Sequence, residues 1–284
     1  MTYSNPQQTA PPLLIVTDLD GTLLDHDSYS FAPARPALER AYAAGIPVIA
    51  NTSKTRAELI DLRASLGNSD PFIIENGSAI CIPEQQIHLR RDDDRIDEGY
   101  IELPLGVGID EIRSQLTRLS REYRFESFGQ WSLEQVITHT GLSPDAARQA
   151  QERRYSEALL WLDSDARQRQ FSRELATQGL HCLQGGRFLS VLGAEADKGR
   201  ALERLKNLYR PLLGETPLVI ALGDSDNDVA MLEAADIAVV IANPHRPAPV
   251  VHANEVIYSQ AAGPAGWNNV IQVLLDRYQA AEKR

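Results

Sequence analysis

The chain has 284 residues, 43% of them hydrophobic and 24% charged, which is enough apolar material for a real core and excludes disorder as the dominant state. At roughly 100–200 residues per domain, this length fits one large unit or two smaller ones. Lys and Arg number 28 against 39 Asp and Glu, and the net charge of −11 argues against a protein whose main task is gripping nucleic-acid phosphates, though not against a phosphorylated small molecule, because a divalent cation inverts the sign of an acidic site.

The opening MTYSNPQQTAPP is polar and Pro-rich, without the basic start and apolar core of a signal peptide. No apolar run approaches the roughly 20 residues needed to cross a bilayer. A soluble cytoplasmic protein without membrane or nucleic-acid partners is the expectation. Cys81 and Cys182 read as buried thiols, because two cysteines build neither a zinc cluster nor a disulfide framework.

Four short runs are apolar throughout, at 13–16, 46–50, 218–222 and 237–241. Continuous apolar strands suit a parallel sheet covered on both faces. Helical stretches lie between them: 34–44 stops at Gly45, 55–66 stops at Gly67, and Asp197 is placed to cap a helix carrying Ala201, Leu202, Leu205 and Leu208. The alternation predicts an α/β fold with a doubly wound, Rossmann-like parallel sheet. The middle differs. Ile109, Ile112, Leu116, Leu119 and Tyr123 mark one helix face, Ser143-Pro144-Asp145 opens another helix, and a third runs from about 166 to 178. Strand candidates fall at 159–162, 180–183 and 188–192. This predicts an α+β domain at 84–192 inserted into a core made of 1–83 and 193–284.

In an open parallel sheet, ligands bind beyond the carboxyl ends of the strands. The first run leads into Asp18-Leu19-Asp20-Gly21-Thr22, two acids one residue apart. Alone, this is as readily a helix cap or turn. The third run leads into Gly223-Asp224-Ser225-Asp226-Asn227-Asp228. Alone, that is a surface loop or a weak calcium loop, although the rest of a calcium-binding helix-loop-helix is missing. Two acidic strand ends aimed at one crevice repel unless compensated, and Mg²⁺ supplies that compensation through oxygen ligands. The second run ends in Asn51-Thr52-Ser53-Lys54-Thr55, where a hydroxyl and free N–H groups can hold a phosphoryl oxygen or simply cap a helix. Lys198 opens a helix; a single Lys is ordinarily a solvated surface residue.

Together and in this order, Asp-x-Asp-Gly-Thr, a strand-terminal Thr, Lys198 and Gly-Asp-x-x-x-Asp resemble the haloacid dehalogenase-like hydrolases. Thr52-Ser53-Lys54-Thr55-Arg56-Ala57-Glu58 further resembles the mannosyl-3-phosphoglycerate phosphatases and their close relatives. Glu75-Asn76-Gly77, Thr140-Gly141-Leu142, Gly185-Gly186-Arg187-Phe188 and Gly263-Pro264-Ala265-Gly266-Trp267 point the same way. Arg153-Arg154-Tyr155-Ser156-Glu157-Ala158 is similar to a family stretch that often ends in proline, from which Ala158 departs.

The resemblance implies an enzyme that hydrolyses a phosphomonoester through an aspartyl-phosphate, with the insert as a cap. It makes Asp18 the nucleophile and Asp20 the general acid. Mg²⁺ would sit on Asp18, the backbone carbonyl of Asp20 and Asp224, with Asp228 behind them orienting Lys198 or a metal-bound water. Thr52 and Lys198 would bind the transferring oxygens. The implied substrate is a small phosphorylated sugar, in the narrow form mannosyl-3-phosphoglycerate or its glucosyl analogue. Ser53, Lys54, Asn76, Arg153, Glu157 and Arg187 would contact it, and Glu75 could accept sugar hydroxyls. A broad sugar-phosphate phosphatase, a phosphomutase and a non-enzymatic binding protein are the alternatives; the last would be expected to have lost Asp18 or Asp20. Arg153 and Arg187 read equally as surface charges, the 90–95 run as a solvated loop, and Trp131, Trp161 and Trp267 as packing residues.

Overall fold

The computed structural model describes residues 12–86, 89 and 96–282, with 279–282 in backbone only. Most of the polar opening and the charged run at 90–95 lie outside the described residues.

The four apolar runs become four strands of a five-stranded parallel sheet. It comprises β1 (Leu13–Thr17), β2 (Val48–Ala50), β11 (Leu218–Gly223), β12 (Ile237–Ala242) and β13 (Glu255–Ala262), in the order β13-β12-β11-β1-β2. Leu13 lies beside Leu218 and Thr17 beside Leu222, so β1 and β11 end level with each other. Side chains alternate across the pleat. Leu14, Val16 and Val219 face α7 (Lys198–Leu213) and α8 (Val229–Glu233), while Ile15 and Ile220 face α1 (Arg35–Ala43) and α9 (Gly263–Glu282) around buried Trp267. Helix α2 (Arg56–Leu66) adds Leu59 to that second layer. Covering on both faces is why the four apolar runs carry no polar side chain. Strand β13 escapes the sequence signature because it is a partly exposed edge carrying Glu255 and Gln260.

The inserted unit carries an antiparallel sheet of β7 (Phe125–Ser127), β8 (Ser156–Trp161), β9 (Leu180–Gln184) and β10 (Leu189–Gly193), in the order β7-β8-β10-β9. Ile112 and Leu116 of α3 (Ile109–Leu119) and Phe171 and Leu175 of α6 (Asp165–Ala176) pack on Leu159, Leu189 and Val191. A separate cluster around Trp131, Val136 and Ala147 joins α4 (Leu133–Thr140) and α5 (Pro144–Gln151) to Ala158. Helix α4 was not expected from periodicity; its readable signal is local, a Ser132–Gln135 capping box and a left-handed Gly141.

A third sheet, also unexpected, has the order β3-β4-β6-β5, with β3 (Phe72–Ile74), β4 (Ala79–Pro83), β5 (Ile96–Asp97) and β6 (Tyr100–Pro104). It crosses residue 84, because β4 and β6 pair from Ala79 opposite Pro104 to Pro83 opposite Tyr100. A bridge between Asn51 and Ile73 ties it to the end of β2.

Candidate active site

The chain leaves β1 towards β2 on one side and returns through β11 on the other, so the crevice beyond their carboxyl ends is the topological switch point. Asp18 stands there at the end of β1, its N–H donating to the Leu222 carbonyl at 2.9 Å. Asp224 follows β11 directly. Asp228 closes the next turn, with Oδ2 accepting from the Asp224 and Ser225 N–H groups at 3.0 and 3.1 Å. Lys198 is the first residue of α7, which Asp197 caps through the Arg200 N–H. Its Nζ donates to Asp18 Oδ1 and Asp228 Oδ1, each at 2.7 Å.

Carboxylate oxygens of Asp18, Asp224 and Asp228 lie within 4.8 Å of one another. These groups are 6%, 3% and 0% exposed, and Lys198 is 1% exposed. One ammonium therefore faces three carboxylates out of reach of bulk water. Burial, followed by Asp228, pushes the Asp18 carboxyl well above its usual range; Lys198 pulls it back and Asp224 adds to the rise. Asp224 is raised by burial and then by Asp228. Burial also works against the Lys198 ammonium, but Asp18 and Asp228 outweigh it and hold the group above its ordinary value. The cluster is short of positive charge.

One local feature fits a hard divalent cation in that space. Gly21, at φ +81°, keeps the floor clear: a Cβ there would stand 2.9 Å from Asp224 Oδ2. The acidic cluster offers oxygen donors only, as Mg²⁺ requires. Asp224 is itself aimed, accepting from Thr22 Oγ1 at 3.2 Å and from Asn243 Nδ2 at 2.5 Å.

Around this cluster opens a cavity of about 600 Å³ between the core and the cap, lined by Asp18, Asp20, Ser53, Asn76, Asp224, Arg153 and Arg187 among others. Thr52, 1% exposed, lies behind the wall, its Oγ1 accepting from the Lys54 N–H at 3.3 Å. Three further expected contacts are placed elsewhere. Lys54 does not line the cavity; it pairs with Asp20 Oδ2 at 2.8 Å, and Asp20 and Glu58 raise its ammonium despite burial, which works the other way. Glu157 is wholly buried in the cap, accepting from Arg113 Nε at 2.7 Å and the Gly129 N–H at 3.0 Å. Glu75 is also wholly buried, turned into the cap instead of the cavity.

A model of the haloacid dehalogenase-like hydrolases matches residues 15–98 and 145–262, more than half of the chain. The chain belongs to the haloacid dehalogenase-like hydrolase family. Within that family, it is 34% identical over 269 residues to a glucosyl-3-phosphoglycerate/mannosyl-3-phosphoglycerate phosphatase of Persephonella marina, an alignment covering 94% of this chain and 98% of the relative. A Methanococcoides burtonii protein of the same name is 36% identical, over 93% of this chain and 97% of the relative. The fold is shared with a solved Thermoplasma acidophilum protein, at TM-score 0.66 and 16% identity, covering 93% of this chain and 99% of the other. Among the described residues, no helix is long and apolar enough to cross a membrane.

For this haloacid dehalogenase-like hydrolase, several cavity residues were not singled out in the sequence: His26, Asp27 and Tyr29 after the first motif, Gln184 in the cap and Arg246 after β12. Asn243, which holds Asp224, was also missed. The strand-end rule applied to the fourth apolar run finds it, since Asn243 is the first residue after β12. Gln184 is the last residue of β9, and the others sit on turns without a spacing signal.

Proposed function

We propose that this enzyme is a Mg²⁺-dependent phosphatase acting on a small phosphorylated sugar, specifically mannosyl-3-phosphoglycerate or its glucosyl analogue. The observation that carries this is the Asp18–Lys198–Asp228 bridge beside Asp224, at the crevice of a chain matched almost end to end by relatives named for that activity. Asp18 attacks phosphorus in line and forms an acyl-phosphate while the P–O bond to the sugar-bearing alcohol breaks. Asp20 gives its proton to the departing oxygen, then takes one from the water that attacks the acyl-phosphate and releases inorganic phosphate. Lys198 holds a transferring oxygen and is itself held by Asp228, while Thr52, behind the wall, supports the loop after β2 through the Lys54 N–H. Mg²⁺, when bound by Asp18, the Asp20 carbonyl and Asp224, neutralises charge so that an anionic nucleophile can approach an anionic phosphate.

Ser53, Asn76, Arg153 and Arg187 contact the remainder of the substrate from the cavity wall. A bidentate arginine suits the glycerate carboxylate. Lys54 acts by orienting Asp20, and Glu157 by bracing the cap through Arg113 and Gly129. The domain at 84–192 is the cap, and its closing part starts after β6, because the β4–β6 ladder fastens residues 100–104 to strands that precede residue 84. The enzyme works in the reducing cytoplasm, where the free Cys81 and Cys182 remain thiols.

A phosphate-release screen with Mg²⁺ tests the assignment. Mannosyl- and glucosyl-3-phosphoglycerate should exceed simple hexose phosphates in kcat/KM by at least about 10²-fold, the scale of a lost charged contact plus misalignment. Equal rates across sugar phosphates would indicate a broad phosphatase. An isomerised sugar phosphate without free phosphate would indicate a mutase.

A further inference from the structure

Glu75 and Asn76 follow β3 in left-handed backbone, at φ 49° and 59°, and Gly77 continues the turn at φ 88°. Two consecutive side-chain-bearing residues in that region persist only where surrounding contacts over-determine them. Those contacts reach three places at once. The Glu75 carboxylate accepts the Arg154 N–H at 2.9 Å on one oxygen, and the Tyr155 N–H at 3.1 Å and the Ser156 hydroxyl at 2.6 Å on the other. Asn76 lines the cavity and accepts from Asn227 Nδ2 at 3.2 Å. Gly77 lies so close to the backbone of Asp197 and Lys198 that a Cβ would overlap it. One turn thus touches the cap, the second acidic loop and the start of the lysine helix.

The cap contact continues towards the cavity. The Ser156 hydroxyl spends its hydrogen on Glu75, and its oxygen accepts from Arg153 Nη1 at 2.8 Å. Arg153 lines the cavity, and its Nε is buried without a partner. Glu75, Ser156 and Arg153 therefore stand in series, with the carboxylate at the closed end and the guanidinium at the open end. An ionised carboxylate suits the closed end, since three donors converge on its two oxygens and it brings no donor of its own.

We infer that Glu75 is a positioning residue for specificity: through Ser156 it fixes Arg153 against the cavity wall, where the guanidinium grips the anionic, non-reacting end of the substrate. This rests on the functional assignment above for the nature of that end, a glycerate carboxylate. Glu75 touches neither the substrate nor the reacting phosphorus, so its loss spares the chemistry and damages recognition.

The test uses Glu75→Gln, which keeps size but replaces one oxygen with a donor. Either amide orientation then leaves a backbone N–H of Arg154 or Tyr155 without an acceptor. Ser156→Ala is the second variant, and removes the relay while leaving Glu75 in place. Rates are measured on mannosyl-3-phosphoglycerate and on 4-nitrophenyl phosphate, and hydrogen exchange is read at the Arg154 and Tyr155 amides. Expected are a fall of about 30-fold or more in kcat/KM on the sugar substrate, mainly in KM, a change under about 3-fold on the aryl ester, and faster exchange at one or both amides in Glu75→Gln. Arg153→Ala should cost about as much alone as combined with Glu75→Gln, because both act on one grip. Equal losses on both substrates, multiplying losses in the double variant, or unchanged exchange would overturn the inference. Should the wild type leave mannosyl-3-phosphoglycerate intact, the functional assignment fails by itself. The relay is then judged by the exchange data and by the same ratio on the sugar phosphate that the enzyme does hydrolyse.

Discussion

On the core side of the cavity, Asp18, Lys198, Asp224 and Asp228 are each no more than 6% exposed, and each is held by hydrogen bonds to neighbours that strand ends and helix starts place. On the cap side, Gln184 at the end of β9 and Gly185, Gly186 and Arg187 of the turn that follows are exposed, and Arg187 is held by donating to the His139 and Thr140 carbonyls at the end of α4. The two walls answer different demands. Charge development on a phosphoryl group needs donors and carboxylates fixed before the reaction starts, and the sheet supplies that rigidity. Recognition of a variable sugar needs side chains that can be exchanged without disturbing the sheet, and a turn on an inserted unit allows this. The core wall also carries a cost, because its carboxylates crowd together with one ammonium among them.

If the walls divide the work in this way, the largest effect belongs to Asp18. Asp18→Asn should lower kcat/KM by at least about 10³-fold on every phosphate ester, since losing a covalent nucleophile costs orders of magnitude. The same variant should melt at or above the wild-type temperature without metal, because a neutral amide relieves the crowding. Steady-state kinetics and thermal melting together check both statements. Activity within about tenfold of wild type would remove the core wall from the chemistry.

The metal comes next. A chelator should abolish turnover and Mg²⁺ restore it. Saturation at about 100 times Kd should stabilise the protein by ~2.7 kcal/mol, or several degrees in melting temperature. Asp224→Asn should lose most of that increment, whereas Arg187→Ala should keep it. Calorimetric titration with Mg²⁺ measures the binding directly, and an unchanged affinity in Asp224→Asn would place the metal elsewhere.

On the cap wall the effect shrinks and becomes selective. Arg187→Ala should raise KM for mannosyl-3-phosphoglycerate about tenfold and change turnover of 4-nitrophenyl phosphate by less than about 3-fold, as expected for one charge-assisted contact. An equal loss on both substrates would mean that the walls share the chemistry after all.

The same contrast governs what was legible in the chain. Asp18, Asp20, Asp224 and Asp228 were found because they follow apolar runs, and the order of strand ends in a parallel sheet is written in sequence. Lys198 and Thr52 were found only in company, through the family resemblance. The cap resisted. Arg153 and Arg187 do line the cavity, but Glu157, the second residue of β8, points into Arg113 and Gly129, while the next residue, Ala158, lines the cavity. Strand periodicity tells that neighbours face opposite ways; it does not tell which way is the cavity until the sheet is placed. The β3-β4-β6-β5 sheet was missed because its pairing spans residue 84, where the change to an α+β pattern suggested a boundary.

The smallest effect belongs to the seam between the walls, and it is one of pH. Burial raises the Glu75 carboxyl above its ordinary 4.5, against the opposing pull of Arg153, Ser156 and the Arg154 and Tyr155 N–H groups. A carboxyl raised in the folded state keeps its proton at pH values where the unfolded chain has released it. The folded state then binds more protons, and stability falls as pH rises. The contribution of Glu75 should therefore be flat below about pH 4.5, decline from there to the folded value, and be flat again above it. Glu75→Gln removes this titration. Chemical denaturation of both proteins between pH 4 and 7, with chelator present so that metal binding does not add its own slope, should give a wild-type curve that drops relative to the variant across the lower part of that range. The difference is expected to be modest, because the three donors offset much of the burial. A difference that rises with pH would mean that the cap's donors outweigh burial, making Glu75 a net favourable ion pair partner of Arg153 and the seam as firmly built as the core wall.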